Sequence, residues 1–270
     1  MQQNNGIQLL TISAEMMGKT ETIYPTVLWD EENVLLIDAG YPGQLPLLKV
    51  ELERFGIPFD KVNRIIVTHQ DLDHIGGLPT ITAALPRKPE IYASALEIPY
   101  IQGERRLLKI TDAAIELAVG SLPPEVPAEW RAAFRRTLEH PPSAPVDSVL
   151  EYGTLLPYSG GIDVIGTHGH TPGHISLYHR PSKTLIAADA LRVVDGQLQL
   201  PDPDLCSDFR QACLSIAALI PFDIETVICY HGGIFAELAN ERIRQLACEA
   251  EAIIQSSLNA SDFENAASRP

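Results

Sequence analysis

The sequence has no cysteine pair in CxxC spacing, no basic-then-apolar leader at its start, and no apolar run long enough to cross a bilayer. The first absence removes the usual signature of thiolate metal sites and of dithiol redox chemistry. Cys206, Cys213, Cys229 and Cys248 are widely spaced in largely apolar stretches and read as buried free thiols in a reducing compartment. The opening Met1-Gln2-Gln3-Asn4 lacks signal-peptide character, so the expected location is cytoplasmic, with no membrane partner. Neither GxxxxGK nor GxGxxG occurs, which leaves nucleotide and dinucleotide binding without support. Positive charge is scarce as well. Twenty Lys and Arg against 35 Asp and Glu give a formal net charge of -15, a surface that repels a phosphate backbone. The dense basic runs, Arg105-Arg106 with Lys109 and Arg131 with Arg135-Arg136, fall on stretches that read as amphipathic helices, where a solvated face explains them. Nucleic acid is not an expected partner.

The chain does have strands that end in chemistry. Residues 7–12, 23–29 and 34–37 read as strands separated by polar turns, and the third runs into Asp38-Ala39-Gly40. A helix is predicted over 45–55, then a strand over 64–68 followed at once by His69-Gln70-Asp71-Leu72-Asp73-His74. After a strand at 90–93, Leu107, Leu108, Ala114, Ile115 and Ala118 suggest one helix, and Trp130, Phe134 and Leu138 mark another. This stretch, about 98–142, reads as a helical insertion, with core packing for Trp130 and Phe134 and a contact for a second copy of the chain as a further use. Strands at 162–165, 175–178, 184–188 and 226–230 follow, with helices predicted at about 205–220 and 235–258. The expectation is one α/β (α+β) domain over 1–258 and a polar tail over 259–270. Strands then helices, twice over, suit two sheets sandwiched between helical layers, because each sheet needs both faces covered. A doubly wound α/β domain is the competing arrangement.

Asp38, His69, Asp71, Asp73, His74, His170, Asp189 and His231 all stand at or just past the C-terminal end of an expected strand. Strand ends are where side chains from distant parts of a chain converge. Histidine with carboxylate is a ligand set for divalent metals, and a cation is the simplest thing that makes paired carboxylates in a tight loop tolerable. The block 69–74 offers four potential ligands in six residues. His174 follows Pro172-Gly173 and reads as a structural hydrogen-bonding residue; His168 reads as a neighbour of the site, and His140 and His179 as surface residues. Gly76-Gly77 and Gly232-Gly233 are expected to let backbone approach the ions closely.

The segment from His69 to Gly77 resembles the signature of the metallo-β-lactamase superfamily, whose usual form is HxHxDH. Further motifs of that superfamily follow in order: Asp38 in LLIDAG, His170 in THGHTPGH, Asp189 in LIAADA and His231 in ICYHGG, so the resemblance covers about residues 5 to 250. It implies a four-layer αββα sandwich of two mixed sheets and a site for two divalent ions. His69, Asp71 and His170 would hold the first, Asp73, His74 and His231 the second, and Asp189 would bridge them, while Asp38 would orient a ligand without binding metal. Asp71 departs from the pattern, standing where the superfamily has its second histidine. Zinc is the expected metal; oxygen in place of nitrogen moves preference toward manganese or iron.

What the resemblance implies chemically is hydrolysis of a small ester, lactone, thioester or related bond, with Asp73 as ligand and proton acceptor and with His170 and Asp189 in the catalytic set. Lactonases of the superfamily carry tyrosine three positions after the bridging aspartate; here Arg192 stands there and is a candidate to receive an anionic substrate group. A di-iron oxidoreductase and a non-catalytic metal-binding protein are the alternatives.

Overall fold

The computed structural model describes residues 5–16 and 19–267. Residues 1–4 and 268–270, the start and the end of the expected tail, lie outside it.

Two six-stranded mixed sheets form the centre. In spatial order the first contains Gly6–Leu9, Thr26–Trp29, Val34–Ile37, Arg64–Ile66, Glu90–Ser94 and Ser148–Leu150. The second contains Gly233–Phe235, Thr226–Cys229, Thr184–Ala188, Ile175–His179, Ile162–Gly166 and Leu155–Leu156. Parallel pairing joins Val34–Ile37, Arg64–Ile66, Glu90–Ser94 and Ser148–Leu150, and also Thr184–Ala188 with Thr226–Cys229; the other neighbours are antiparallel. Side chains alternate across a strand, so each strand serves two cores. Leu35 and Ile37 join Ile66, Val164, Ile175, Leu177 and Ile186 between the sheets. Val34 and Leu36 face the other way, onto Leu48 and Leu52 of helix Leu45–Arg54 and onto Ile75, Leu78 and Ile81. The second sheet repeats the device: Ile186 points inward, while Leu185 and Ala187 pack on Ile216, Leu219, Ile243 and Leu246. Helix, sheet, sheet, helix is therefore the layer order, and the strands buried on both faces read as continuous apolar runs because both faces are covered.

Several local expectations need correction. A hairpin of Ile12–Met16 with Lys19–Ile23 stands where only its end residues Ile12 and Ile23 were read as strand, because its exposed Ser13, Glu15, Thr20 and Glu21 give it no apolar run. Residues 102–111 are not helical; Gly103 takes φ +77°, and helix Asp112–Gly120 begins only where the Thr111 side chain caps Ala114 N–H. Arg105, Arg106 and Lys109 thus lie in a loop, not on an amphipathic helix. The segment read as one helix over 205–220 is a short 3₁₀ turn at Pro203–Leu205, helix Phe209–Ser215 capped by Asp208, and a second turn at Ile216–Leu219. The last helix is Ala239–Ala267, since Gly232 and Gly233 (φ +91° and +87°) turn the chain back into edge strand Gly233–Phe235. It continues through residues expected to be tail because no Gly or Pro stops it before 267.

Side-chain burial corrects others. Trp130 is 69% exposed and so lies outside the core; Cys248 is exposed, and Cys206 is half-buried, whereas Cys213 and Cys229 are buried. His179 is no surface residue: it is buried, bonded to Ser182 Oγ and to the Ser159 carbonyl. The glycines of the motifs serve packing between backbones. A Cβ on Gly77 would meet the Ala39 carbonyl oxygen at 2.1 Å, and one on Gly232 the Val193 carbonyl oxygen at 1.9 Å.

Candidate metal centre

Five strand ends, two from the first sheet and three from the second, meet at one edge of the sandwich. From the first sheet come Asp38, directly after Val34–Ile37, and the loop that follows Arg64–Ile66; from the second come Asp189, directly after Thr184–Ala188, and His231, just past Thr226–Cys229. His170 stands in the turn beyond Ile162–Gly166. Asp38 has φ +64° and Ala188, before Asp189, φ +48°, so both carboxylates stand on backbone bent out of the extended form. The sheets are stitched together here. Ile175 N–H donates to the Thr68 carbonyl at 3.2 Å, and the Tyr230 hydroxyl donates to the Asp73 carbonyl at 2.6 Å.

Asp38 organises the ligand loop. Its carboxylate accepts the Thr68 N–H and the Thr68 hydroxyl, each at 2.8 Å, and the His74 Nδ1–H at 2.8 Å. Since the only Thr68 hydroxyl proton goes to Asp38, Thr68 Oγ1 must accept from His69 Nδ1 at 3.0 Å. Both imidazoles thereby carry a proton on Nδ1, which leaves Nε2 to face the centre. His69 Nε2 and His74 Nε2 are buried and have no hydrogen-bond partner, and neither has Asp189 Oδ1. Asp71 supplies a second sign of diversion. It is the N-cap of helix Leu72–Ile75, yet its side chain makes no capping bond, although aspartate is a favoured cap. Asp71 Oδ2 instead lies 3.0 Å from His170 Nε2 and 3.3 Å from His69 Nε2.

The centre of the arrangement is one oxygen. Asp189 Oδ2 lies 3.3 Å from His170 Nε2, 3.5 Å from His74 Nε2, 3.5 Å from His231 Nε2 and 3.8 Å from His69 Nε2. Two sets of ligand atoms share it, His69–Asp71–His170–Asp189 and Asp73–His74–Asp189–His231, each set within 4.8 Å. Asp73 Oδ2 completes the second, 3.1 Å from His231 Nε2 and 3.5 Å from His74 Nε2. The residues fit a pair of divalent ions: buried nitrogens without hydrogen-bond partners point at one place, and the donors are imidazole and carboxylate.

The charges agree with that fit. Burial opposes a proton on His74, but Asp73, Asp38 and Asp189 outweigh it and hold its pKa well above the usual range. Burial likewise opposes a proton on His231, yet Asp189 and Asp73 push it up to about 10. His69 goes the other way, lowered by burial and then by the neighbouring His74. Burial would raise Asp71, but the adjacent His69, His170 and Lys109 keep it well below the usual carboxylate range. The field that retains protons in the second set is the field that a cation neutralises.

The remaining expected residues find clear places. His174 is buried and structural: its Nε2 accepts the Asp189 backbone N–H at 3.2 Å, so Nδ1 carries the proton and bonds Thr167 Oγ1 at 2.9 Å. It fixes the backbone of the shared carboxylate. His168 belongs to neither set and packs edge-on against Tyr152 at 4.5 Å between ring centroids. Arg192 is bonded to Asp202 Oδ2 at 2.7 Å.

Three residues were missed. Glu97, fully buried, accepts Gln70 N–H and Gln70 Nε2 at 3.0 and 2.9 Å and Gly173 N–H at 2.6 Å, joining the ligand loop to the turn before His174. Gln70 Oε1 in turn accepts Leu108 N–H at 2.9 Å. Lys109, next in the chain, bonds Asp71 Oδ2 and lies 2.7 Å from His170 Nε2. Gln70 was inside the motif and signalled nothing but a spacer; Glu97 and Lys109 lie 27 and 38 residues from their partners, with no spacing rule to connect them.

Known proteins agree with this geometry. Residues 21–254 match the model of the metallo-beta-lactamase superfamily. Among curated proteins, the probable metallo-hydrolase YflN of Bacillus subtilis is 28% identical over 75% of this chain and 76% of its own, and the uncharacterized protein YobT of the same organism is 27% identical over 83% and 89%. Among solved structures, a metallo-beta-lactamase family protein of Thermus thermophilus superposes with a TM-score of 0.63 at 22% identity, covering 93% of this chain and 81% of its own. Strand order, converging ligands and matched sequence lead to one conclusion: the chain belongs to the metallo-beta-lactamase superfamily.

Proposed function

We propose that the protein is a binuclear metal-dependent hydrolase acting on a small ester, lactone, thioester or related bond. The observation that carries this reading is Asp189 Oδ2 standing among four imidazole Nε2 atoms, two from each sheet. His69, Asp71 and His170 would hold the first ion, Asp73, His74 and His231 the second, with Asp189 shared between them. Bound there, the pair supplies Lewis acidity and lowers the pKa of a water to near neutrality. Asp38 keeps the His74 ring oriented by taking its spare N–H, and Thr68 does the same for His69. His69 and His74 form a buried floor, while the His231 side chain is 42% exposed, so substrate enters from the His231 side. Asp73, beside His231, would serve both as a ligand and as the proton acceptor. Arg192 is the candidate for an anionic substrate group, which must then displace Asp202 from its guanidinium. The metallo-hydrolase description of YflN supports the same class.

Elemental analysis of protein purified without added metal, followed by assay of zinc- and manganese-loaded protein on lactone, thioester and phosphoester panels, tests the reading. Two ions per chain and metal-dependent hydrolysis are expected. Iron with oxygen consumption and no hydrolysis would replace it by an oxidoreductase, and metal retention without turnover by a binding protein.

A further inference from the structure

We propose that Lys109 is a tethered cation that competes with the first metal ion for Asp71 and His170, so that the chain itself weakens one half of its metal centre. This inference rests on the binuclear reading above. Its basis is that the lysine ammonium bonds the very atoms that would ligate that ion, Asp71 Oδ2 and His170 Nε2. Lysine only donates, so His170 Nε2 meets it with its lone pair, and an imidazole nitrogen has a single lone pair in the ring plane. That lone pair serves the ammonium or the ion, not both.

The contact is built, not incidental. Lys109 leaves a loop that is pinned on both sides: before it Leu107 is buried in the first core and Leu108 N–H is held by Gln70 Oε1, and after it Ile110 packs against the same core. Gln70 is anchored by Glu97 and directly precedes Asp71, so the lysine's backbone and its target carboxylate belong to one hydrogen-bonded unit. The side chain is 28% exposed, which leaves the ammonium a route outward when an ion takes its place. The other half has no counterpart. Among the described residues, no lysine or arginine is paired with Asp73 or Asp189, whose charged partners are all histidines.

An ion that binds only when Lys109 is withdrawn has its affinity reduced by the fraction of time the lysine is out. Removing the charge therefore tightens the first half and leaves the second as it was. The test is a titration of chelator-treated protein with Zn²⁺ against a chromophoric competitor. To isolate each half, Lys109→Met is made in two backgrounds, His231→Ala, which retains the first set of ligands, and Asp71→Asn, which retains the second. In the His231→Ala background Lys109→Met is expected to tighten binding about tenfold or more, the factor for a lysine withdrawn about a tenth of the time or less. In the Asp71→Asn background it is expected to change nothing. Lys109→Arg keeps the charge and should keep the weak affinity, and Lys109→Gln provides a second neutral variant should the methionine variant fold poorly by circular dichroism. Unchanged affinity in the His231→Ala background, weaker binding there, or equal gains in both backgrounds would each overturn the proposal. Tight second-half binding with no Lys109 effect would do so while leaving the binuclear reading intact, whereas the absence of Zn²⁺ binding in wild type and every variant would overturn both.

Discussion

The two halves of the centre share Asp189 yet balance their acidic charge by different means. The first half, His69–Asp71–His170, has Lys109 against Asp71, and its His69 is pushed toward the neutral form. The second half, Asp73–His74–His231, has no such cation, and its histidines are pushed toward the protonated form. A ligand set rich in carboxylate needs positive charge, and one fold meets that need with a side chain on one side and with protons on the other. On the binuclear reading, loading the first half would move a lysine, while loading the second would release protons.

The largest expected effect abolishes the comparison altogether. Asp189→Asn removes the carboxylate common to both halves, so metal affinity at both and hydrolysis should each fall by more than about 100-fold, beyond the range for residues that only support a ligand. His174→Asn, which disturbs the hydrogen bonds to the Asp189 backbone and to Thr167 Oγ1 but removes no candidate ligand, should fall within about 10- to 100-fold. Chelator-competition titrations of the two variants, paired with a hydrolytic assay, check the ranking; equal losses would mean that Asp189 is not the shared ligand.

Asp38→Asn should separate the halves. Asparagine tolerates the positive φ at this position but lacks the charge that holds His74 Nδ1–H and both Thr68 donors. Zn²⁺ affinity of the half containing His74 is expected to drop about 10- to 100-fold, and the half containing His170 to drop less. Titration of Asp38→Asn in the Asp71→Asn and His231→Ala backgrounds reads the two separately.

Next in size is the response to pH. Asp189 and Asp73 push the His231 pKa up to about 10, and its proton must leave before Nε2 can bind an ion, so second-half affinity should rise with pH from neutrality upward, about tenfold per unit for each proton displaced. His69 has a lowered pKa and carries no such proton near neutrality, so its contribution to the first half stays flat over the same range. Calorimetry in buffers of different ionisation enthalpy measures the protons released. The same number from both halves would erase the distinction.

The smallest effect concerns selectivity. Asp71→His replaces an oxygen donor by nitrogen in the first half alone and should move the Zn²⁺ to Mn²⁺ ratio there toward zinc, with the second half unchanged. Competition loading followed by metal analysis checks it, and an unaltered ratio with both halves filled would place Asp71 outside the coordination sphere.

The clustering of the candidate ligands was legible because each of them sits next to a strong local signal, a short apolar strand, and strand ends converge in layered α/β folds. Asp38, His69, His74, Asp189 and His231 could be placed on that rule alone. The hairpin at 12–23 and the break at 102–111 were not legible. A solvated strand pair has no apolar run to betray it, and the apolar Leu107 resembles a helix residue until the fold buries it in a loop. His179 and Trp130 exchanged their expected places for a similar reason, since burial of an amphipathic residue depends on what packs over it.

By itself, then, the sequence determined the apolar strands that lead into the site, the residue types at their ends and the substitution at position 71, all of which are properties of short segments. Only the tertiary structure decided which partners those residues meet. It set Asp189 Oδ2 among four imidazoles, tied Glu97 to Gln70 across 27 positions, and brought Lys109 to Asp71 across 38. Such pairings depend on how loops from both sheets pack at one edge. A hydrogen bond between residues far apart in the chain leaves no periodicity behind, so its energy acts through space and becomes visible only when the chain is folded.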